Sequence, residues 1–432
     1  MPLVLFLSGC ASAPTRPRVT PPPLPSSGSV APSPFITTFW CGPPLAEFDD
    51  RRAEEIVAAG FTIVGPPCEG GTDPERNRRA LDVAARHGLK MWIADTRFNE
   101  RARTLPDWEQ QLAAAVASYR GHPALGGYFV TDEPSARQFD DLALIVSRLR
   151  EHDPGTPAYI NLVADYVSGD LGAPTYRDYV ERFVETVRPA LLSYDYYPFG
   201  ATTDRPTFFT NLALVRDAAQ RHALPFMLIV LAMPHLVYRN PSEAELSWQV
   251  YHALAYGARG ISYFAYWTPV QVEFADRLKF RNGLIENGKP TVHYTHAQRL
   301  NRAVRAIGQQ LESFTSVSVG DSLGEMAARL PIGPIAAIEG GAITAGLFRN
   351  DTGELAVLLV NRDYRSAAAI ALRLRDGEDR PQLFDVNAGT WTGSNSDQKL
   401  RLPPGGAQLL RWPRPFKATT TISSRPFQAG GD

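Results

Sequence analysis

Net charge is nearly absent from this chain. Its 44 Lys and Arg face 45 Asp and Glu, which leaves −1 over 432 residues. A balance of that kind offers no basic surface to a phosphate backbone, so nucleic acid is not an expected partner. Cysteine is scarce at three residues. No Cys or His cluster has metal-ligand spacing, so no metal site is expected. Gly70-Gly71 is not followed by the Gly-Lys-Ser/Thr that a phosphate-cradling loop requires, and it reads as a plain turn. No cofactor is expected. Runs long enough to cross a bilayer are missing too: the apolar stretch at the start is too short to span one.

That opening stretch, residues 1–10, ends Leu7-Ser8-Gly9-Cys10 and resembles a bacterial lipobox. The resemblance implies lipidation at Cys10 and an exported lipoprotein, held to a membrane in the periplasm or at the cell surface. Residues 11–34 are rich in Pro and Ser, the composition of an extended spacer. Cys41 and Cys68 each follow a predicted strand. Export would permit a disulfide between them, and two unpaired thiols are the alternative.

From residue 35 a strand–helix rhythm begins and repeats eight times. The predicted strands are 35–40, 61–65, 90–95, 125–132, 158–163, 190–196, 225–231 and 260–267. The predicted helices between and after them are 45–60, 74–87, 107–120, 136–152, 176–186, 208–222, 242–256 and 293–314. Gly60, Gly88 and Gly257 sit at helix ends, where a left-handed cap is common. Eight such units in roughly 280 residues match a (β/α)8 TIM barrel in count and length. A doubly wound sheet would also alternate, but the Gly-rich first turn it usually carries is absent. After about residue 315 short strands separated by turn residues take over, the pattern of a small antiparallel β-sandwich. The expected organisation is a barrel over 35–314, a sandwich over 315–415 and a loose polar tail over 416–432.

Barrel enzymes place their chemistry at the C-terminal strand ends. The fourth predicted strand ends Thr131-Asp132-Glu133-Pro134, an apolar run closing on two adjacent acids. Desolvating two like charges pushes one pKa upward, which suits a general acid at neutral pH. The other strand ends hold Trp40, Asp95, Asn161, Asp195 with Tyr194 and Tyr196, and Trp267 with Tyr266. Glu133, Asp132 and Asp195 are the candidate catalytic residues. Trp40, Asp95, Asn161, Tyr194, Tyr196, Tyr266 and Trp267 are the candidate substrate contacts. Asp132 could instead cap the next helix, and Asp195 could be a buried hydrogen-bond acceptor.

Three stretches carry a resemblance: 127–134, 193–198 and 260–269. With them, residues 35–412 look like a TIM-barrel glycoside hydrolase with an appended β-sandwich. The resemblance implies a carbohydrate substrate, Glu133 as general acid/base, and Trp267 as the floor of a sugar subsite. It departs from the commonest retaining pattern at strand seven, which ends Leu231-Ala232-Met233-Pro234-His235 without an acid. Glu243 and Glu245 follow in a helix first turn, where acids favour the helix dipole. Two routes remain open. Asp132 could orient a substrate acetamido group that serves as nucleophile, as in enzymes with a similar Asp-Glu pair. Asp195 or a loop carboxylate could instead partner Glu133. The alternative to an enzyme is a non-catalytic surface carbohydrate-binding protein on the same scaffold.

Overall fold

In a computed structural model, the structure describes residues 35–413 apart from 69–72, 168–170, 270–277, 324–327 and 395–398. Cys10, the spacer, Gly70-Gly71 and the polar tail lie outside the described residues. Eight parallel strands form one sheet: β1 (Ile36–Phe39), β2 (Ile63–Val64), β3 (Lys90–Ala94), β4 (Leu125–Asp132), β5 (Ala158–Leu162), β6 (Leu192–Tyr196), β7 (Phe226–Leu231) and β8 (Gly260–Phe264). The order β1-β8-β7-β6-β5-β4-β3-β2 brings the first and second strands to one seam. There Thr62 N–H donates to Thr37 O at 2.9 Å and Gly42 N–H to Pro66 O at 2.9 Å, which closes the barrel. The seam is tight enough to need Gly65, since a Cβ there would lie 1.7 Å from Phe39 O. The Cys41–Cys68 disulfide crosses the same seam just above it.

Helices α1 (Asp50–Ala58), α2 (Pro74–Arg86), α3 (Trp108–Tyr119), α4 (Phe139–His152), α5 (Tyr176–Val187), α6 (Phe208–Arg221), α7 (Glu243–Ala255) and α8 (Val292–Gln310) cover the outside. Their starts follow local chemistry. Asp49, Asp73, Thr175, Ser242 and Thr291 each accept a first-turn N–H. Gly60, Gly88 and Gly257 take φ of +80°, +67° and +93° after α1, α2 and α7. Ser242 and Glu245 form a capping box.

Alternation along the strands builds two cores. Phe39, Tyr128, Ile160, Tyr194, Val230 and Tyr263 face the helices. Trp92, Tyr159 and Met227 fill the barrel interior with Ile36 and Phe129, and Trp92 stacks on Tyr159 at 4.0 Å. β8 is shorter than the sequence suggests. Beyond Phe264 the chain leaves the ladder and bonds to the turn after β1, with Tyr266 N–H on Trp40 O and Trp267 N–H on Cys41 O. The aromatic run continues across that exit, so composition does not mark it. Likewise α8 stops at Gln310, and Phe314 opens a strand.

That strand, Phe314–Asp321, joins a seven-stranded sheet that packs against a three-stranded one. Leu355–Asn361 is buried at every position. Val357 and Leu359 meet Ile370 and Leu402 of the smaller sheet, while Ala356, Leu358 and Val360 join the barrel core beside α7. Contact with the barrel is close at Gly346, where a Cβ would lie 2.1 Å from Ala255 O.

Candidate active site

Adjacent residues in a regular strand point to opposite faces. Asp132 and Glu133 nonetheless both reach the C-terminal mouth. A bulge between Phe129 and Thr131 shifts β4 against β5, so that Asp132 sits opposite Asn161. Glu133 then adopts φ +48°, which turns its side chain out of strand geometry while its N–H still donates to Asn161 O at 2.9 Å. Left-handed backbone is uncommon for a non-glycine residue and clusters at functional sites.

Asn161 organises the acids. Ser193 Oγ donates to its Oδ1 at 3.0 Å, and Tyr159 and Ser193 hydroxyls are 3.3 Å apart. The amide orientation is thereby set, and both Nδ2 hydrogens are used. One goes to Asp132 Oδ1 and one to Asp195 Oδ1, each at 3.1 Å. Asp195 is 4% exposed. Burial, then the charges of Glu133 and Asp132, push its carboxyl well above the usual range, and it shares a hydrogen bond with Glu133. Desolvation by the surrounding protein and then Glu133 raise Asp132 to about 7, against the opposing bond from Asn161. Asp132 opens to the cleft while protein crowds its other sides. Cleft water therefore moderates this shift.

Above the acids lies a cleft of about 370 Å³. Trp40, Tyr166, Tyr197, Tyr238, Phe264 and Phe280 form much of its wall. His235, from the turn after β7, also lines the cleft. Burial lowers it to about 4, so it is neutral at pH 7, with Nδ1 3.1 Å from Met233 O. Arg205 stacks on Tyr166 at 3.7 Å and donates to Tyr238 Oη at 3.2 Å, which braces the wall from behind.

Glu133, Asp132, Asp195, Asn161 and Trp40 thus converge on one cleft. Five other candidates do not join them. Asp95 is turned outward among the helices, bound by Tyr119 Oη at 2.7 Å and by Arg97. Tyr194 and Tyr196 occupy the helix-facing side of β6, and Tyr196 Oη pairs with Thr207 at 2.8 Å. Tyr266 stacks on Phe39 and donates to Glu55 at 2.8 Å. Trp267 lies past the end of β8, 5.0 Å beneath the Arg52 guanidinium. In each case alternation or the early exit from β8 sends the side chain away from the mouth. Tyr197 and Phe264 were readable by the same alternation, two residues beyond Asp195 and Ser262. Tyr166, Tyr238 and Phe280 stand on loops with no periodic signal. Glu243 and Glu245 pair with Arg299 and Arg239 at the start of α7, outside the cleft.

Among the described residues, Glu181, Glu185 and His222 bring possible metal ligands together on the outer helices. Arg221 is paired with Glu181 there, so a guanidinium already meets that charge.

No family model matches the chain, and no curated protein does. Solved structures share the fold. A catalytic mutant of a GH42 beta-galactosidase from G. stearothermophilus superposes with TM-score 0.60 at 10% identity, covering 89% of this chain and 99% of that one. A structure described as a glycoside hydrolase gives 0.53 at 11% identity, covering 87% and 92%. A beta-galactosidase from the psychrophilic Marinomonas ef1 gives 0.48 at 12%; 64% of this chain matches 60% of that protein's length. At these identities the likeness is one of fold.

Proposed function

We propose that the protein is a glycoside hydrolase acting on O-glycosidic bonds of a carbohydrate. The observation that carries this reading is the gathering of Asp132, Glu133 and Asp195 on one aromatic-walled cleft, where burial and the neighbouring acids raise the Asp195 carboxyl. A glycosidase needs one carboxyl to deliver a proton and another to meet the positive charge that develops on the sugar. Glu133 is assigned as the general acid that protonates the leaving oxygen. Asp132 or Asp195 is its partner, which meets the charge on the ring directly, through water or by orienting a substrate group. Asn161 holds Asp195 and Asp132 at fixed separation throughout. The barrel fold shared with known glycosidases supports the setting, and the carboxyls supply the chemistry.

The lectin-like alternative draws on one observation, the neutral His235 after β7 in place of an acid. Hydrolysis of a panel of aryl glycosides and polysaccharides, with Glu133→Gln run in parallel, decides between the two. The enzyme reading expects a loss of at least about a hundredfold in the variant. Equal activity in both proteins would sink the assignment of Glu133, and glycan binding without cleavage in either would favour the lectin. A requirement for 2-acetamido sugars would select the substrate-assisted route, with Asp132 as the orienting group. We further place the chain outside the cytoplasm, anchored through Cys10. The lipobox-like start supports this, and a disulfide at Cys41 and Cys68 is at home in an oxidising compartment.

A further inference from the structure

The base of the cleft is polar and its rim is not. After β7 the chain reverses at His235-Leu236-Val237-Tyr238, closed by Tyr238 N–H on His235 O at 2.8 Å. Leu236 stands at φ +48° and is 54% exposed, and Val237 is 60% exposed. Each choice is unfavourable taken alone. Glycine or asparagine would occupy that backbone with less strain, and polar side chains would suit the water around it. The turn is nonetheless held from both sides. Leu236 N–H donates to Leu278 O at 2.9 Å, and Ala201 N–H to Val237 O at 2.8 Å. Leu278, Phe280 and Val167 continue the apolar surface into the cleft wall. No lysine or arginine is among the described residues that line the cleft.

We infer that this rim binds an apolar aglycone, so that the substrate is a glycoside with an alkyl or aryl leaving group. The sugar sits on Asp132, Glu133 and Asp195, and the leaving group extends over Leu236 and Val237. A further sugar at that place would need partners for its hydroxyls, and the side chains of Leu236, Val237, Leu278 and Phe280 offer none. An anionic group would meet three acids and no lining cation. Strain and exposure at Leu236 are both accounted for by a ligand that covers it. The inference rests on the glycosidase reading only for what the acids do to the sugar.

Binding tests it without catalysis. Methyl and hexyl glycosides of glucose, galactose, mannose, xylose and N-acetylglucosamine are titrated calorimetrically into the full chain and into Glu133→Gln. For the sugar that binds, the hexyl form is expected to be at least about tenfold tighter, roughly the effect of two buried methylenes. Leu236→Asn combined with Val237→Thr keeps the backbone within reach, because asparagine tolerates the left-handed region. That variant should cut the hexyl preference to about twofold and leave methyl glycoside affinity unchanged. Hexyl and methyl forms that bind alike, or do not bind at all, overturn the inference, as does a preference that survives in the variant. A rim covered by a second copy of the chain would show as a concentration-dependent mass without alkyl preference, which also overturns it. An alkyl preference in a protein that cleaves nothing would leave this site standing while the glycosidase reading fell. Cleavage of oligosaccharides without alkyl preference would do the reverse.

Discussion

Asp132→Asn should make the protein more stable, by an amount that grows as pH rises from about 4 and is largest above pH 7. Its surroundings lift the Asp132 carboxyl from 3.8 to about 7, first by desolvation and then through Glu133. In the unfolded chain the group returns to its ordinary value. Between those values the folded state keeps a proton that the unfolded chain has released. Stability therefore falls as pH rises through this window and is lowest above it. Above the window, a carboxyl lifted that far costs the fold roughly 4 kcal/mol. Asp132 is open to cleft water, and halving for that screening leaves about 2 kcal/mol. The substituted amide keeps the shape and can still accept from Asn161 Nδ2, but it carries no charge to desolvate. For a chain of this size, about 2 kcal/mol is a rise of roughly 2–3 °C in Tm. Differential scanning calorimetry at constant ionic strength is the assay. We expect that rise at pH 8 and less than about 1 °C near pH 3, where the wild-type group is largely protonated in both states. A variant no more stable than wild type at pH 8, or a gain equal at both pH values, refutes the reasoning. Stability gained where activity is lost is the trade-off expected of like charges gathered for chemistry.

Two more outcomes can be checked independently. Tyr364 of the sandwich bonds to Asp204, and Arg239 ties Asp204 to Glu245 and, at 2.7 Å, to Gly200 O behind the cleft wall. Tyr364→Phe removes one hydroxyl from that clamp. It should cost about 1 kcal/mol of stability and raise KM about threefold with kcat within about twofold; unchanged Tm and KM would show that the sandwich does not set the wall. Cys10→Ser should abolish fatty-acid labelling and move the protein from the membrane to the soluble fraction, and labelling that persists would remove the lipid anchor.

Much of the barrel was legible because its signals are local and repeated. An apolar strand, a capping Asp, Thr or Ser and a closing glycine recur, and each is decided within a few residues. Pro74 to the end of α2 and Tyr176 to the end of α5 were placed almost to the residue for that reason. The sandwich was less legible. Ile335–Glu339 and Leu400–Leu402 are short, and partners far away in sequence define them. The end of β8 was misplaced because its departure is made by tertiary bonds to Trp40 and Cys41, while the aromatic composition runs on unchanged.

The site shows where strand-end reasoning needs a second rule. Taking every polar or aromatic residue at a strand end gathers Asp95, Tyr194, Tyr196 and Tyr266 with the true cleft residues. Alternation would have separated most of them. If Asp195 faces inward, Ser193 and Tyr197 do as well, while Tyr194 and Tyr196 face the helices. Applied to β4, however, the same rule fails. It would send either Asp132 or Glu133 away from the cleft, because neighbours in a strand point to opposite sides. Both arrive because the bulge after Phe129 moves Asp132 onto the face of Asn161, and because Glu133 turns at φ +48°. Two departures from regular strand geometry fall within five residues of each other. Together they put two like charges side by side, the arrangement that burial and repulsion make unfavourable. Local regularity is given up at the place where the carboxyls gather, which is where a folded chain is expected to hold strain if it does chemistry there.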